Sequence, residues 1–386
     1  GRTAIRGGFG MFYNRMAGGM IFFPMNYQPP MVETPILYFG RMDNLLESSG
    51  VLFPTDVIGL DRQGKIPTVM NYSFSIQQDI GFGTVVDIGY VGSLGRRLLW
   101  QRNVNETPFG TNFQPENIDP TTNKPYPTTF LRPYIGYNNV NVREPGSSSN
   151  YHSLQVTANR RFAHGIEFGA AWTWSKTMDY NDTDDAGVSS LVPVRVWNYG
   201  LAGFDRTHVF KVNWLWDIPN SGFRNPVLKG IFNNWQFSGI ASFISGQPLG
   251  VGYSTVSAVD ITGSTHGSRI VVLDNPVLPK SERTFDRYFR TDVFALPAVG
   301  TIGNSAKNIL RGPGVNNWDT ALYKSFPIRE AMRLQFRWEL YNAFNHTQFA
   351  GVNTGARFDN QGNQVNALLG QITSARDARK MQFALR

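Results

Sequence analysis

Five histidines and one dense run of carboxylates are the side chains of this 386-residue chain best suited to moving protons or holding a metal. His152, His164, His208, His266 and His346 fall in no H-E-x-x-H or other paired-ligand spacing. Each is read as a turn, interface or lumen residue. Asp179, Asp182, Asp184 and Asp185, with Asn181 among them, crowd one segment expected to be a long loop. Oxygen ligands at that spacing suit a hard cation such as calcium, but no EF-hand glycine or closing glutamate follows in position. The run therefore reads as a solvated acidic loop, and no metal is assigned. No G-x-S-x-G elbow, P-loop or dinucleotide fingerprint occurs. Nothing selects a glycosidase-type carboxylate pair, and the absence of cysteine removes thiolate chemistry. No catalytic or cofactor-binding residue is assigned, and the chain is not expected to be an enzyme.

The elements that would carry these side chains follow from composition and period. Hydrophobic residues make up 41% of the chain and charged ones 17%, yet no unbroken apolar stretch reaches the roughly 20 residues of a membrane-spanning helix. The net charge of +8 is scattered, with pairs such as Arg96-Arg97 and Arg160-Arg161 but no basic run. Nucleic acid is therefore not an expected partner.

The dominant signal is a period of two. Leu154, Val156 and Ala158 alternate with Ser153, Gln155, Thr157 and Asn159. After Ala163-His164-Gly165, Ile166, Phe168, Ala170, Trp172 and Trp174 alternate with Glu167, Gly169, Thr173 and Ser175. Tyr72 to Ile80 and Val86 to Tyr90, joined by Gly81-Phe82-Gly83, repeat the pattern, as do Phe210 to Asp217 and Trp235 to Phe243, the latter blurred by Ile240 and Ile244. Met332 to Phe344 is the clearest strand; Trp318 to Phe326 is poorly resolved by alternation, and Met381, Phe383 and Leu385 close the chain.

Large aromatics crowd the strand ends, among them Trp172, Trp174, Trp214, Trp216 and Trp235. A soluble sandwich would present Val, Ile and Leu to a second sheet, whereas rings at strand ends suit a membrane interface. No fixed-period repeat of a propeller is present. Connectors alternate in length: short at 81–83, long at 93–149, short at 163–165, long at 177–206, moderate at 218–234, very long at 246–315, short at 327–331 and long at 345–377. Outer-membrane barrels alternate short periplasmic turns with long outer loops in this way. With an opening strand Thr3 to Tyr13, roughly ten spanning strands are expected. An outer loop over 14–67 would carry a short strand near Val32 to Tyr38. Arg333, Arg337, Glu339 and Asp87 would face the lumen, either lining a polar path or satisfying one another.

Particular strings carry a family resemblance. Tyr90-Val91-Gly92-Ser93 with Gly95-Arg96, Asn150-Tyr151-His152-Ser153-Leu154-Gln155-Val156, Trp174-Ser175-Lys176, Ser245-Gly246-Gln247-Pro248 and the run Arg337 to His346 resemble, in this order, the barrel of Oar-like TonB-dependent transporters of acidobacterial type. The resemblance implies an all-β, antiparallel outer-membrane barrel of about 22 strands around a plug, of which residues 1–386 would be the C-terminal part. The plug, signal peptide and N-terminal regulatory-like domain would lie outside it, in keeping with an opening Gly1-Arg2-Thr3 that reads like the interior of a longer protein. The final strand departs from the family in stopping at Arg386 rather than at an aromatic residue, and is read as cut a few residues early.

The implied function is uptake of an unidentified small ligand of siderophore, glycan, vitamin or peptide class. The implied partners are outer-membrane lipid, the β-barrel assembly machinery and, through the plug, the TonB–ExbB–ExbD complex. A porin or a surface adhesion or secretion-related barrel is the alternative.

Overall fold

The computed structural model describes residues 1–14, 25–37, 41–43, 51–62, 64–184, 186–329 and 332–386. Ten long strands pair in chain order, each antiparallel to the next, as the spine of a thirteen-stranded sheet. They are β1 (Thr3–Tyr13), β2 (Thr68–Gly81), β3 (Thr84–Asn103), β4 (Tyr137–Ala163), β5 (Ile166–Asp179), β6 (His208–Asp217), β7 (Trp235–Ile244), β8 (Val315–Arg329), β9 (Met332–Tyr341) and β10 (Lys380–Leu385). Strict neighbour-to-neighbour order is what short turns at one end impose, since a hairpin can only join adjacent antiparallel strands.

Two of those turns depend on left-handed backbone. Gly81, Phe82 and Gly83 have φ of 86°, 54° and 70°, and His164-Gly165 has 53° and 78°. Positive φ at both central residues matches the twist of the strands it joins. The connection at 218–234 instead holds a short helix, Pro226–Phe232, capped by the Asn225 side chain accepting from Val227 N–H and Leu228 N–H.

The register fixes which side chains share a face. Ile5 pairs with Ile76, Ile76 with Ile88, Ile88 with Val156, Val156 with Trp172, and Trp172 with Phe210. On the far side Leu322 pairs with Trp338 and Trp338 with Phe383. Because the side-chain period is two, one matched pair per ladder puts every apolar row on one face and every polar row on the other.

The two ambiguous segments are resolved the same way. Ile240 lies opposite Asp319 on the polar face, and Ala241 lies opposite Trp318 on the apolar one. In β8 the apolar row includes Thr320 and Lys324, which is why alternation faded there. Lys324 is nearly buried. Its ammonium reaches the Asn233 carbonyl beside the rings of Trp235 and Phe326, an apolar stem with a polar tip drawn toward the turn end.

Two expectations need correction. β3 and β4 run to 20 and 27 residues, so the long connector shrinks to 104–136. A 27-residue strand spans roughly 90 Å at about 3.3 Å per residue, far more than a bilayer core, and its first residues are paired on both edges, with β3 and with Thr55–Leu60. The stretch near Val32 forms only the bridge Ile36–Val51, with Tyr38 outside the described residues; the short strand of this region is Thr55–Leu60, parallel to β4. The long connectors are themselves folded. Val251, Ile270, Phe289, Val293, Phe294, Leu310, Ala356, Phe358 and Leu369 form a buried cluster drawn from 246–314 and 346–372. The wall cannot supply such a core, since its apolar rows lie on an open face: Phe9, Phe74, Ile88, Trp174 and Phe383 are all exposed.

Candidate functional site

Two regions gather polar and charged side chains: the polar face of the sheet, and the rim where the wall meets the long connectors. On the polar face, Arg6 approaches Asp87 at 3.9 Å. Arg337 donates through Nε to Gln335 at 2.7 Å and lies over the Tyr323 ring at 5.7 Å. Glu339 accepts from the Tyr341 hydroxyl at 3.4 Å. Arg333 sits opposite Pro327 at the turn end. These four expected polar-face residues do share one face, but they do not pair with one another. Where β5 to β9 come together, Glu167, Asn213, Asp319 and Glu339 line a hollow of about 370 Å³. On the opposite, apolar face of the same strands the Trp214 ring lies over Gly239, where a Cβ would come within 2.4 Å of it.

At the rim, the strings singled out in the sequence meet. Ser175 Oγ donates to the Arg206 carbonyl, and the His208 N–H donates to Ser245 Oγ. Asn342, at φ 52°, donates its amide to the carbonyls of His346 and Asp377 and accepts from the His346 N–H. Gly246 is pressed so tightly on the chain that a Cβ would fall 1.7 Å from the Gly312 carbonyl oxygen. Asp205, buried at 1% exposure, ties the collar together. One of its oxygens accepts the Thr177 N–H at 2.6 Å and the other accepts from Arg311 at 2.5 Å. A buried carboxylate is tolerable on such terms because each oxygen accepts from an N–H and the charge is met by a guanidinium.

The acidic run meets a lysine. Lys307 donates to Asp179 at 2.6 Å and to Asp182 at 3.0 Å. Burial tends to raise the Asp182 carboxyl, but the Gly203 N–H and the Lys307 ammonium outweigh it and hold it below the ordinary carboxylate range. Asp184 is exposed, and Asp185 lies outside the described residues. Asn181 bonds to Ser147 and donates to the Leu99 carbonyl. Among the described residues no group of three His, Asp or Glu has metal-holding geometry.

The histidines divide by place. His164 is in its turn. His152 accepts or donates at Nδ1 with the hydroxyls of Tyr90 at 2.7 Å and Tyr72 at 3.2 Å. His208 stacks on Trp172 and His346 on Phe344, at the rim end of the apolar face. His266 was missed as a structural hub. It is buried, bonded through Nε2 to Ser189 Oγ at 2.7 Å, and set between the rings of Phe109 and Trp197. Three connectors thus converge on one imidazole. Lys307, Asp205 and Arg311 were also missed, since their partners lie more than 100 residues away in the chain and no local spacing announces them.

Residues 1–382 match the family described as outer membrane beta barrel domain. No curated protein matches the sequence. Among solved structures, the chain is similar to the outer membrane transporter YddB from Escherichia coli, at 10% identity and a TM-score of 0.46, covering 99% of this chain and 38% of that one. It is also similar to the FrpB iron transporter from Neisseria meningitidis, F3-3 variant, at 10% identity and a TM-score of 0.39, covering 86% and 32%. The chain thus spans about a third of the length of either, 38% and 32%.

Proposed function

The chain belongs to the family of outer membrane beta barrel domains, and from that premise we propose that it forms wall and outer loops of a TonB-dependent receptor that imports a small ligand. Its place is the outer membrane, with the apolar face on lipid and the polar face on a wet lumen. The observation that carries the reading is the register, which brings the apolar rows of ten successive strands onto one face and their polar rows onto the other, with Ile240 and Lys324 as the exceptions described above. A sheet of that kind suits a solvent that is lipid on one side and water on the other.

Among the described residues β1 and β10 do not pair with each other. Bare N–H and C=O groups along a strand edge are not tolerated in hydrocarbon. Further strands beside β1 and β10 would close the wall, in keeping with a larger barrel, of the Oar-like kind, whose plug and TonB-contacting segment belong to the rest of the protein. The folded outer loops supply the surface on which a siderophore, glycan, vitamin or peptide would first be held, and the assembly machinery would insert the whole.

The test is a deletion strain carrying the full gene or an empty vector, grown on single ferric siderophores, glycans, peptides or vitamins, with and without a protonophore. The reading expects one nutrient whose use needs both the gene and the proton gradient. Steady ion conductance by the full-length protein in planar bilayers, with no energy-dependent uptake, would replace it with a passive pore.

A further inference from the structure

At the loop end of the lipid-facing surface lies a cleft of about 860 Å³. Its floor is the end of the apolar row, where Phe210 and Phe243 stack at 6.0 Å. Its sides are His208 and His346, and its roof carries Lys280 and Arg283 from the 246–314 connector. No carboxylate lines it. Arg311 also borders the cleft, but its charge is already met by Asp205. Lys280 and Arg283 differ from it. Arg283 donates to the Leu278 carbonyl and the Tyr288 hydroxyl and lies over the Tyr288 ring at 4.8 Å, but neither cation has a carboxylate partner among the described residues.

The cleft is therefore amphipathic in a definite direction, with the rings of the wall on one side and, on the 246–314 connector, two cations that no carboxylate meets. The luminal hollow carries the opposite charge, with Glu167, Asp319 and Glu339. An anionic solute crossing the lumen would be repelled there, whereas an anion anchored in the membrane meets only cations and rings. We propose that this cleft binds a phosphorylated lipid of the outer leaflet, its phosphate on Lys280 and Arg283 and its acyl chains along Phe210 and Phe243. A basic pocket at the membrane surface is the ordinary means of holding a lipid phosphate, and two donors on one phosphate give charge-assisted hydrogen bonds. Such a lipid would also clamp the 246–314 connector to the wall.

The full-length protein in detergent is titrated, by native mass spectrometry, with a bisphosphorylated diglucosamine lipid, with the same lipid after dephosphorylation, and with inorganic phosphate. The phosphorylated lipid binds, its dephosphorylated counterpart binds at least tenfold more weakly, and phosphate alone does not compete. Lys280 is exposed, so its replacement leaves folding intact. K280A weakens binding about fivefold and K280E about thirtyfold, one cation's attraction being lost in the first and reversed in the second. Equal binding of the dephosphorylated lipid, an unchanged Kd in K280E, or displacement by inorganic phosphate overturns the proposal. None of these outcomes bears on uptake, so the transporter reading stands or falls separately.

Discussion

Val156 and Gln155 are neighbours on β4 whose side chains point to opposite faces, which makes them a direct probe of the lipid assignment. Val156 stands between Ile88 and Trp172, and Gln155 between Gly89 and Thr173. Val156 is about seven residues above the Ala163 turn, or roughly 23 Å along the strand at about 3.3 Å per residue. A tilt of about 45° puts it roughly 16 Å above the turn, near the middle of an apolar band about 25 Å tall. Arginine at that depth on the lipid face costs about 2–4 kcal/mol, which is about a 30- to 900-fold loss in the folded-to-unfolded ratio. Q155R, facing water, costs less than about 1 kcal/mol.

A third variant separates lipid from a buried protein core. V156F adds volume, which lipid accommodates at no cost but a packed interior resists by about 1–3 kcal/mol. The assay is denaturant-driven unfolding of the full-length protein from lipid vesicles, read as a midpoint shift. Equal losses for V156R and Q155R, or a loss above about 1 kcal/mol for V156F, would refute the argument that these rows touch lipid.

Three more perturbations address the rim and loops. K307M strips the cation from Asp179, whose side chain is 3% exposed, and should cost about 3 kcal/mol; adding D179N should restore most of it, with hydrogen exchange over 180–207 as the readout. G246A drives a methyl into the Gly312 carbonyl, while G252A meets nothing within 4 Å. The first should destabilise by more than about 2 kcal/mol and the second by less than about 0.5 kcal/mol, a contrast measurable by thermal unfolding. Hydrogen bonds from Arg290 hold the Asp274 and Asp292 carboxyls below their ordinary 3.8. Folded values below unfolded ones give a contribution that is full above the unfolded carboxylate range and fades as pH falls through the depressed values. Exchange in segment 274–292 should therefore quicken only in acid, and R290Q should abolish that pH dependence.

The sequence by itself determined the wall. A period of two is written in adjacent residues, so Leu334, Phe336 and Trp338 against Arg333, Gln335 and Arg337 announced a two-faced strand without any partner strand in view. Gly81-Phe82-Gly83 and His164-Gly165 announced hairpins for the same local reason, and the alternating lengths of connectors gave the strands their sense. Alternation failed where a residue answers to a distant one: Lys324 sits in an apolar row because Asn233 and Trp235 receive it, and Ile240 faces the lumen because β7 is locked between β6 and β8.

The connectors were legible only as long and polar, because their order rests on contacts between segments far apart in the chain. Asp205 with Arg311, Asp179 with Lys307, and His266 with Ser189 close loops of 106, 128 and 77 residues. No pattern along the chain encodes such closures. They exist once the wall has brought the ends of its strands together, so the strand period lies in the sequence while the charge pairs of the rim are decided by the tertiary structure.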